Sequence, residues 1–460
     1  MSTIEVRALR FAYARGPERL KGVDLTVDSG DVLVIDGPSG GGKSTLLRAL
    51  CGLIPHFHGG TISGHVRIGS VDPVESRPGE VARHTGYLFQ DPEAQIVFDV
   101  VRTDVAFGPR AEGWRTDEIE GTVEEALAAC GISHLADRQT RTLSGGERQR
   151  VALAGLVARA PGVLLLDEPS AQLDAAGVSE LVEVLTRIRH DNDITLVVAD
   201  HHPEYFLDLA PRRLSMRAGV LGDSVDRASR SAPGSRPGPC PAGIEAQALT
   251  CSRDGRKVLM SQDFRADIGR VTVVEGPNGC GKSTLLRALA GLDVPDAGAV
   301  LVQGHDVTAD PIERRFPHVV FIAQSSRNQM LTESVRDELA FGLSRAGFDP
   351  AGCRDRVASV ATELDLDDLL DCHPLDLSVG QREQAALASG LAVNPTVLLL
   401  DEPTRALDPV RADALARLLR RYADAGTAVV VATHDRLFSD AVADARVVLG
   451  TAPRAGAAAA

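Results

Sequence analysis

An α/β protein written twice is what this sequence predicts, and three observations predict it. The Gly-rich stretch Val34-Ile35-Asp36-Gly37-Pro38-Ser39-Gly40-Gly41-Gly42-Lys43-Ser44-Thr45 returns as Val273-Val274-Glu275-Gly276-Pro277-Asn278-Gly279-Cys280-Gly281-Lys282-Ser283-Thr284. Each copy later carries an unbroken apolar run with an acidic end, Val163-Leu164-Leu165-Leu166-Asp167-Glu168 and Val397-Leu398-Leu399-Leu400-Asp401-Glu402. Landmarks also keep their order and nearly their spacing: Lys43 and Lys282 lie 239 residues apart, Gln90 and Gln324 234, Asp167 and Asp401 234, and His201 and His434 233. Such regularity means a duplicated domain. Apolar runs without alternation suit strands buried on both faces, as in α/β folds.

Within each copy the elements read in the same order. An apolar strand runs into the Gly-rich loop, and a helix follows, beginning at Lys-Ser-Thr. A helical insertion comes next: Thr116 is expected to cap a helix running to Cys130, with Ile119, Val123, Ala126, Leu127 and Cys130 on one face. In the second copy, Asp349-Pro350 reads as a cap followed by a proline at the first helical position, and Cys353, Val357, Val360 and Leu364 form the apolar stripe. The acidic-ended strand follows, then a strand (Thr195–Ala199, Ala428–Ala432) ending in a histidine. Expected boundaries are residues 1–222 and 244–450, joined by a Pro/Gly/Ser-rich linker at 223–243, with a low-complexity tail at 451–460.

Bulk properties narrow the function. With 460 residues there is room for two or three domains, each with its own core. A formal net charge of −14 argues against binding dominated by neutralisation of nucleic-acid phosphates. No apolar run approaches the ~18–20 residues that a membrane-crossing helix needs, so any membrane role is expected to run through partner subunits. Seven cysteines, with no C-x-x-C pair, suit a reducing compartment and no disulfide. Cys280 inside the second Gly-rich loop reads as a tolerated small residue.

The Gly-rich loops carry the chemistry. Glycines allow consecutive backbone N–H groups to turn toward one anion, and the helix N-terminus adds partial positive charge. Candidate phosphate contacts are therefore Gly37 to Thr45 and Gly276 to Thr284, with Lys43 and Lys282 reaching the outer phosphates and Ser44 and Ser283 ligating Mg²⁺. Asp167 and Asp401, at strand ends, are placed to hold that metal directly or through water. Glu168 and Glu402 are candidates to polarise an attacking water. His201 and His434 are expected to contact the terminal phosphate, and Gln90 and Gln324 to reach the metal or the water. The stretch Leu143-Ser144-Gly145-Gly146-Glu147-Arg148-Gln149-Arg150 puts a further anion nest at a helix start, with a plain helix cap as the bland alternative.

These motifs, with Leu173-Asp174 and Leu407-Asp408, occur in the order found in ATP-binding cassette (ABC) ATPases, and the chain resembles a tandem member of that family. The resemblance implies two tandem P-loop ABC-type nucleotide-binding domains, each a RecA-like core with an inserted helical subdomain, using ATP and Mg²⁺. It also implies an internal head-to-tail pseudo-dimer with composite sites. One site would join Lys43, Asp167, Glu168 and His201 with Ser378-Val379-Gly380-Gln381. The other would join Lys282, Asp401, Glu402 and His434 with Ser144-Gly145-Gly146-Glu147. Two departures set the copies apart. Tyr13 matches the family's adenine-stacking aromatic, whereas its counterpart is Arg253. Val379 stands where the motif has its first glycine; if that glycine requires a positive φ or close backbone approach, valine would add strain of roughly 1–3 kcal/mol.

The segment Phe89-Gln90-Asp91-Pro92-Glu93-Ala94-Gln95-Ile96-Val97-Phe98, continuing to Asp104-Val105-Ala106-Phe107-Gly108-Pro109, resembles the ATPases of energy-coupling factor transporters, which drive uptake of vitamins or of cobalt or nickel ions. Ala323-Gln324-Ser325 through Glu338-Leu339-Ala340-Phe341-Gly342 is a looser copy. This likeness implies a transmembrane coupling subunit and a substrate-binding membrane subunit as partners, no nucleic acid, and a place on the cytoplasmic face of the membrane. The segment would line the groove that accepts amphipathic coupling helices. A sugar-importer or drug-exporter ATPase, or a soluble tandem protein acting on ribosomes or nucleic acid, are the alternatives.

Overall fold

The computed structural model describes residues 3–14, 16–171, 173–224, 240–253, 255–323, 330–377, 379–404 and 407–450. Gln324, Ser378, most of the expected linker and the tail lie outside them. The chain divides into two compact units, Met1–Ala228 and Ser229–Ala460.

In the first unit the strands are β1 (Ile4–Ala12), β2 (Glu18–Val27), β3 (Val32–Asp36), β4 (Thr61–Ile68), β5 (Thr85–Leu88), β6 (Val163–Asp167), β7 (Thr195–Ala199), β8 (Arg212–Arg217) and β9 (Val220–Asp223). One sheet has the order β5-β6-β7-β3-β8-β9, parallel except for β9, and a smaller antiparallel sheet runs β2-β1-β4. The second unit repeats this plan with β10 (Ala242–Arg253), β11 (Arg256–Asp267), β12 (Val271–Glu275), β13 (Ala297–Val302), β14 (His305–Asp306), β15 (Val319–Ile322), β16 (Val397–Asp401), β17 (Ala428–Ala432) and β18 (Ala445–Val448). Its parallel sheet runs β15-β16-β17-β12-β18 and its antiparallel sheet β11-β10-β13-β14. The duplication in the sequence is thus a duplication of topology.

The unbroken apolar strands have a physical cause. Along β6, Val163 and Leu165 pack into the core beneath the antiparallel sheet and the helix Lys43–Leu50. Leu164 and Leu166 point the other way, into the core shared with the helices Thr116–Ala129, Gly145–Val157 and Ala175–Asn192. Side chains alternate across a strand, so Asp167 falls on the face of Leu165, toward the Gly-rich loop. In the second unit Val397 and Leu399 face one core, and Leu398 and Leu400 the other.

Local expectations were met in part. Asp349 caps the helix Pro350–Glu363, accepting from Gly352 N at 2.7 Å. Thr116 is not a cap: the helix Thr116–Ala129 is capped at Arg115, whose N–H donates to the Glu118 carboxylate at 3.2 Å. An acidic side chain three residues inside the helix satisfies the cap residue's own amide, which leaves Thr116 as the first helical residue. The ends of the segment expected as linker are strand, Asp223 closing β9 and Ala242 opening β10. Cys280 is buried in the core below its loop, as a small residue would be.

Leu166 tests the two-faced core. Leu166→Ala is expected to cost about 2–5 kcal/mol of stability, because a fully buried leucine in a packed core leaves a cavity. Urea unfolding of the purified chain measures it.

Candidate functional site

In each unit three neighbouring parallel strands deliver the candidate residues to one edge of the sheet. β3 ends at Asp36 and runs into the Gly-rich loop, β6 ends at Asp167, and β7 ends at Ala199, two residues before His201. Register pairs Asp167 with Ala199 and, in the second unit, Asp401 with Ala432. His201 and His434 therefore follow the strand ends by two residues rather than closing the strands.

The loop's glycines are dictated by backbone shape. Gly37 has φ +141°, and a Cβ there would collide with the Met216 carbonyl oxygen. Gly42, at φ +112°, caps the helix Lys43–Leu50 from the left-handed region. Gly276 and Gly281 repeat this with φ +154° and +104°. Lys43 Nζ donates to the carbonyls of Gly37 (2.7 Å) and Pro38 (3.2 Å), and Lys282 Nζ to those of Gly276 (2.7 Å) and Pro277 (3.3 Å). Both lysines are buried, with only 4% and 6% of their surface exposed. A buried ammonium over a Gly-rich helix start is a receptor for phosphate.

The carboxylates gather around that loop. Ser44 Oγ donates to Asp167 Oδ1 at 2.8 Å, and Tyr87 Oη donates to Asp167 Oδ2 at 2.7 Å. Glu168 lies 2.9 Å from His201 Nε2 and accepts from Gln90 Nε2 at 2.6 Å. His201 Nδ1 lies 2.9 Å from the Gly37 carbonyl oxygen and Nε2 lies 3.4 Å from Ser39 Oγ, so the histidine bridges the glutamate and the loop. In the second unit Glu402 lies 2.8 Å from His434 Nδ1 and 3.6 Å from Lys282 Nζ. Glu168 and Glu402 have φ of +49° and +50°, a strained region for a non-glycine residue. Amide bonds to Ala199 O (2.7 Å) and Ala432 O (2.8 Å) hold them there. Both glutamates are thereby turned off the strand line toward the loop.

Protonation follows the surroundings. Burial alone would raise Glu168 and Glu402, but the adjacent histidine and then the lysine outweigh it and hold both below the ordinary carboxylate value. Asp167 and Asp401 are raised, chiefly by burial, against opposing hydrogen bonds from Tyr87 and Ser44 and from Ser283. Burial, then the Asp167 charge, pushes Tyr87 up, so its hydroxyl remains a donor. Hard oxygen donors, hydroxyl and carboxylate, beside a phosphate-binding loop fit Mg²⁺, and the buried Asp401 Oδ1 has no hydrogen-bond partner among the described residues.

The remaining candidates are placed as follows. Ser144 caps the helix Gly145–Val157: its Oγ accepts from Glu147 N at 3.3 Å, and Glu147 accepts from Ser144 N at 2.7 Å. Gly145 and its counterpart Val379 each open a helix, which removes the positive-φ ground for strain at that position. Gly380 and Gln381 lie in the first turn of that second helix. Tyr13 is half-buried, edge-on to Phe11 at 4.8 Å, whereas Arg253 is exposed. Gln324 and Ser378 fall outside the described residues.

Two groups escaped the motif reading. Tyr87 looked like an ordinary strand aromatic. Asp200, buried between Ser170 and His202, accepts from Ser170 Oγ (2.8 Å) and His202 N (2.9 Å) and ties the two loops beside Glu168 together. Thr433 and Thr404 take those places in the second unit, 3.4 Å apart. Only comparing the two copies position by position would have drawn attention to either.

A paired set of phosphate loops, each served by an aspartate, a glutamate and a histidine from adjacent strand ends, defines a two-unit P-loop nucleotide hydrolase. The family model described as ABC transporter matches residues 20–171 and 259–405, and the chain belongs to that family. A relative from Methanosarcina mazei, named as an ABC transporter ATP-binding protein, is 31% identical over 451 residues, which span 94% of this chain and 90% of that one. One of the same name from Streptomyces avermitilis is 34% identical over 492 residues, spanning 90% and 86%. Among solved structures, RNase-L Inhibitor superimposes with a TM-score of 0.66 at 21% identity, over 95% of this chain and 87% of that one, which shows the shared tandem fold. The protein is thus the ATP-binding, ATP-hydrolysing part of an ABC system and works with ATP and Mg²⁺. No helix among the described residues is long and apolar enough to cross a membrane.

Depressed glutamate values have a measurable consequence. A carboxylate with a lowered native pKa stabilises the fold fully above its unfolded value and loses that contribution as pH falls through the native one. Glu168→Gln removes one such contribution. Its destabilisation relative to wild type, read by thermal melting, is expected to be largest near neutral pH and to shrink below the unfolded value of about 4.5.

Proposed function

We propose that this chain is the energy-coupling ATPase of an importer of the energy-coupling factor type, serving vitamin or transition-metal-ion uptake from the cytoplasmic face of the membrane. The observation that carries the reading is a matched apolar patch on each unit, in the segment whose sequence resembles that class. In the first unit Val97, Phe98 and Phe107 are exposed, with the two phenylalanine rings 5.6 Å apart. The buried Asp104 shapes this patch by accepting from Val97 N (2.8 Å) and Phe98 N (2.9 Å). In the second unit Leu331 and Phe341 are exposed at the corresponding positions, and buried Glu338 accepts from Leu331 N (2.9 Å) and Thr332 N (3.1 Å). Apolar side chains displayed by a buried carboxylate, once per unit, suit two amphipathic helices of a transmembrane coupling subunit.

In this reading the two units act as a head-to-tail pair. Each ATP is gripped by Lys43 or Lys282 of one unit and by the Ser-Gly-Gly-type helix start of the other. When bound, Mg²⁺ supplies charge neutralisation at the phosphates, within reach of Ser44 and Asp167 or of Ser283 and Asp401. Glu168 and Glu402, held ionised, orient and polarise water, while His201 links Glu168 to the loop and His434 pairs with Glu402. ATP favours the closed pair because it binds both units only there, and hydrolysis removes that preference. The site completed by Val379 lacks the first glycine of the motif and is expected to be the weaker one.

Two experiments test this. Phe107→Asp and Phe341→Asp should each weaken association with co-purifying membrane subunits by at least about tenfold while ATP binding persists; a chain that binds no membrane partner in wild-type form would refute the importer reading. For the unequal sites, Glu402→Gln should lower ATP turnover by about two orders of magnitude and Glu168→Gln by much less. Equal residual turnover would refute the inequality.

A further inference from the structure

The two metal-facing aspartates occupy the same place on β6 and β16 but not the same surroundings. Asp167 has both oxygens engaged, Oδ1 by Ser44 at 2.8 Å and Oδ2 by Tyr87 at 2.7 Å. Tyr87 comes from β5, where it is the register partner of Leu165, two residues before the aspartate. The same register on β15 pairs Leu399 with Phe321. Phenylalanine brings no hydroxyl, and Asp401 Oδ1 is left buried without a hydrogen-bond partner among the described residues, in a side chain whose residue is only 6% exposed. The difference extends outward. Arg48 lies against the hydroxyls of Tyr13 and Tyr87, so a chain of contacts runs from Tyr13 to Asp167. Its counterpart Arg287 is instead held by Asp293 through two 2.7 Å bonds, and it reaches Asp401 by charge rather than through a hydroxyl.

We propose that this one hydroxyl makes the two metal–nucleotide sites unequal, with Tyr87 acting as a positioning residue that occupies the second oxygen of Asp167 and weakens its hold on a divalent cation. The inference rests on the reading of these loops as ATP and Mg²⁺ sites. A carboxylate oxygen that already accepts a hydrogen bond has less charge to offer a cation or the water around it. A buried, charged acceptor with no donor is costly, and a cation's coordination sphere relieves that cost. The second unit therefore binds the metal with nucleotide more tightly than the first, by about tenfold, or about 1.4 kcal/mol.

The test is a Mn²⁺ titration of the full chain with a non-hydrolysable ATP analogue, followed by electron paramagnetic resonance, which counts free metal whatever the turnover. Wild type should show two classes of site. Tyr87→Phe should move the weaker class about tenfold toward the tighter, and Phe321→Tyr should move the tighter class about tenfold toward the weaker. Opposite shifts from reciprocal, nearly isosteric changes are not what a general loss of structure gives, and circular dichroism melts confirm that each variant is folded. Two equal classes in wild type, no change in either variant, or shifts of the same sign would overturn the proposal while leaving nucleotide binding intact. No Mn²⁺ bound with nucleotide in wild type would bring down the site reading itself, and this inference with it.

Discussion

The pairing of three parallel strands is the constraint on which both sites depend. β3, β7 and β6 lie side by side in the first unit, and β12, β17 and β16 in the second. Because the strands run the same way, their carboxyl ends open on one edge, and the residues that follow them meet there. Lysine from the loop after β3, aspartate and glutamate from the end of β6, and histidine from the turn after β7 are far apart in the chain and within hydrogen-bond reach in space. The strands hold this register because both faces are buried; a one-residue slip of β6 would turn Asp167 into the helical core and Leu166 toward the loop.

On this frame the polar groups set one another's state. Burial pushes every carboxylate at the site upward, yet the glutamates fall below their ordinary value and the aspartates do not. What separates them is the partner. Glu168 and Glu402 pair with a histidine and sit beside a lysine. Asp167 and Asp401 bond to neutral hydroxyls and feel the neighbouring glutamate's charge; the more weakly acting Arg48, or Lys282 and Arg287, do not outweigh that charge together with burial. Two adjacent residues on one strand end are thereby given different chemistry: one an ionised group for water, the other an oxygen ligand for metal. The positive φ of both glutamates lets neighbouring side chains point to different partners instead of to opposite faces of the sheet.

Duplication supplies an internal comparison. The two units share strand order, loop geometry and strained glutamates, so the places where they differ stand out. Asp200 against Thr433, Tyr87 against Phe321, and Arg48 against Arg287 with its Asp293 all lie just behind the residues that would touch nucleotide.

Much was legible in the sequence alone. The phosphate loops, the acidic-ended strands and the repeat are local patterns, and each reflects a local demand: glycine where φ is positive, apolar residues where both strand faces are buried. The capping aspartate of Asp349-Pro350 was legible for the same reason, whereas Thr116 was misread because Glu118 satisfies the helix start from three residues inside. Tertiary structure alone decided which partners the carboxylates have. That Tyr87 reaches Asp167, and that Asp401 Oδ1 has no hydrogen-bond partner among the described residues, depend on register between strands distant in sequence; that Val97, Phe107, Leu331 and Phe341 stay exposed depends on how the inserted segments pack. A tyrosine in a strand reads the same whether its hydroxyl meets water or a metal-binding carboxylate, because pairing between strands carries no local signature.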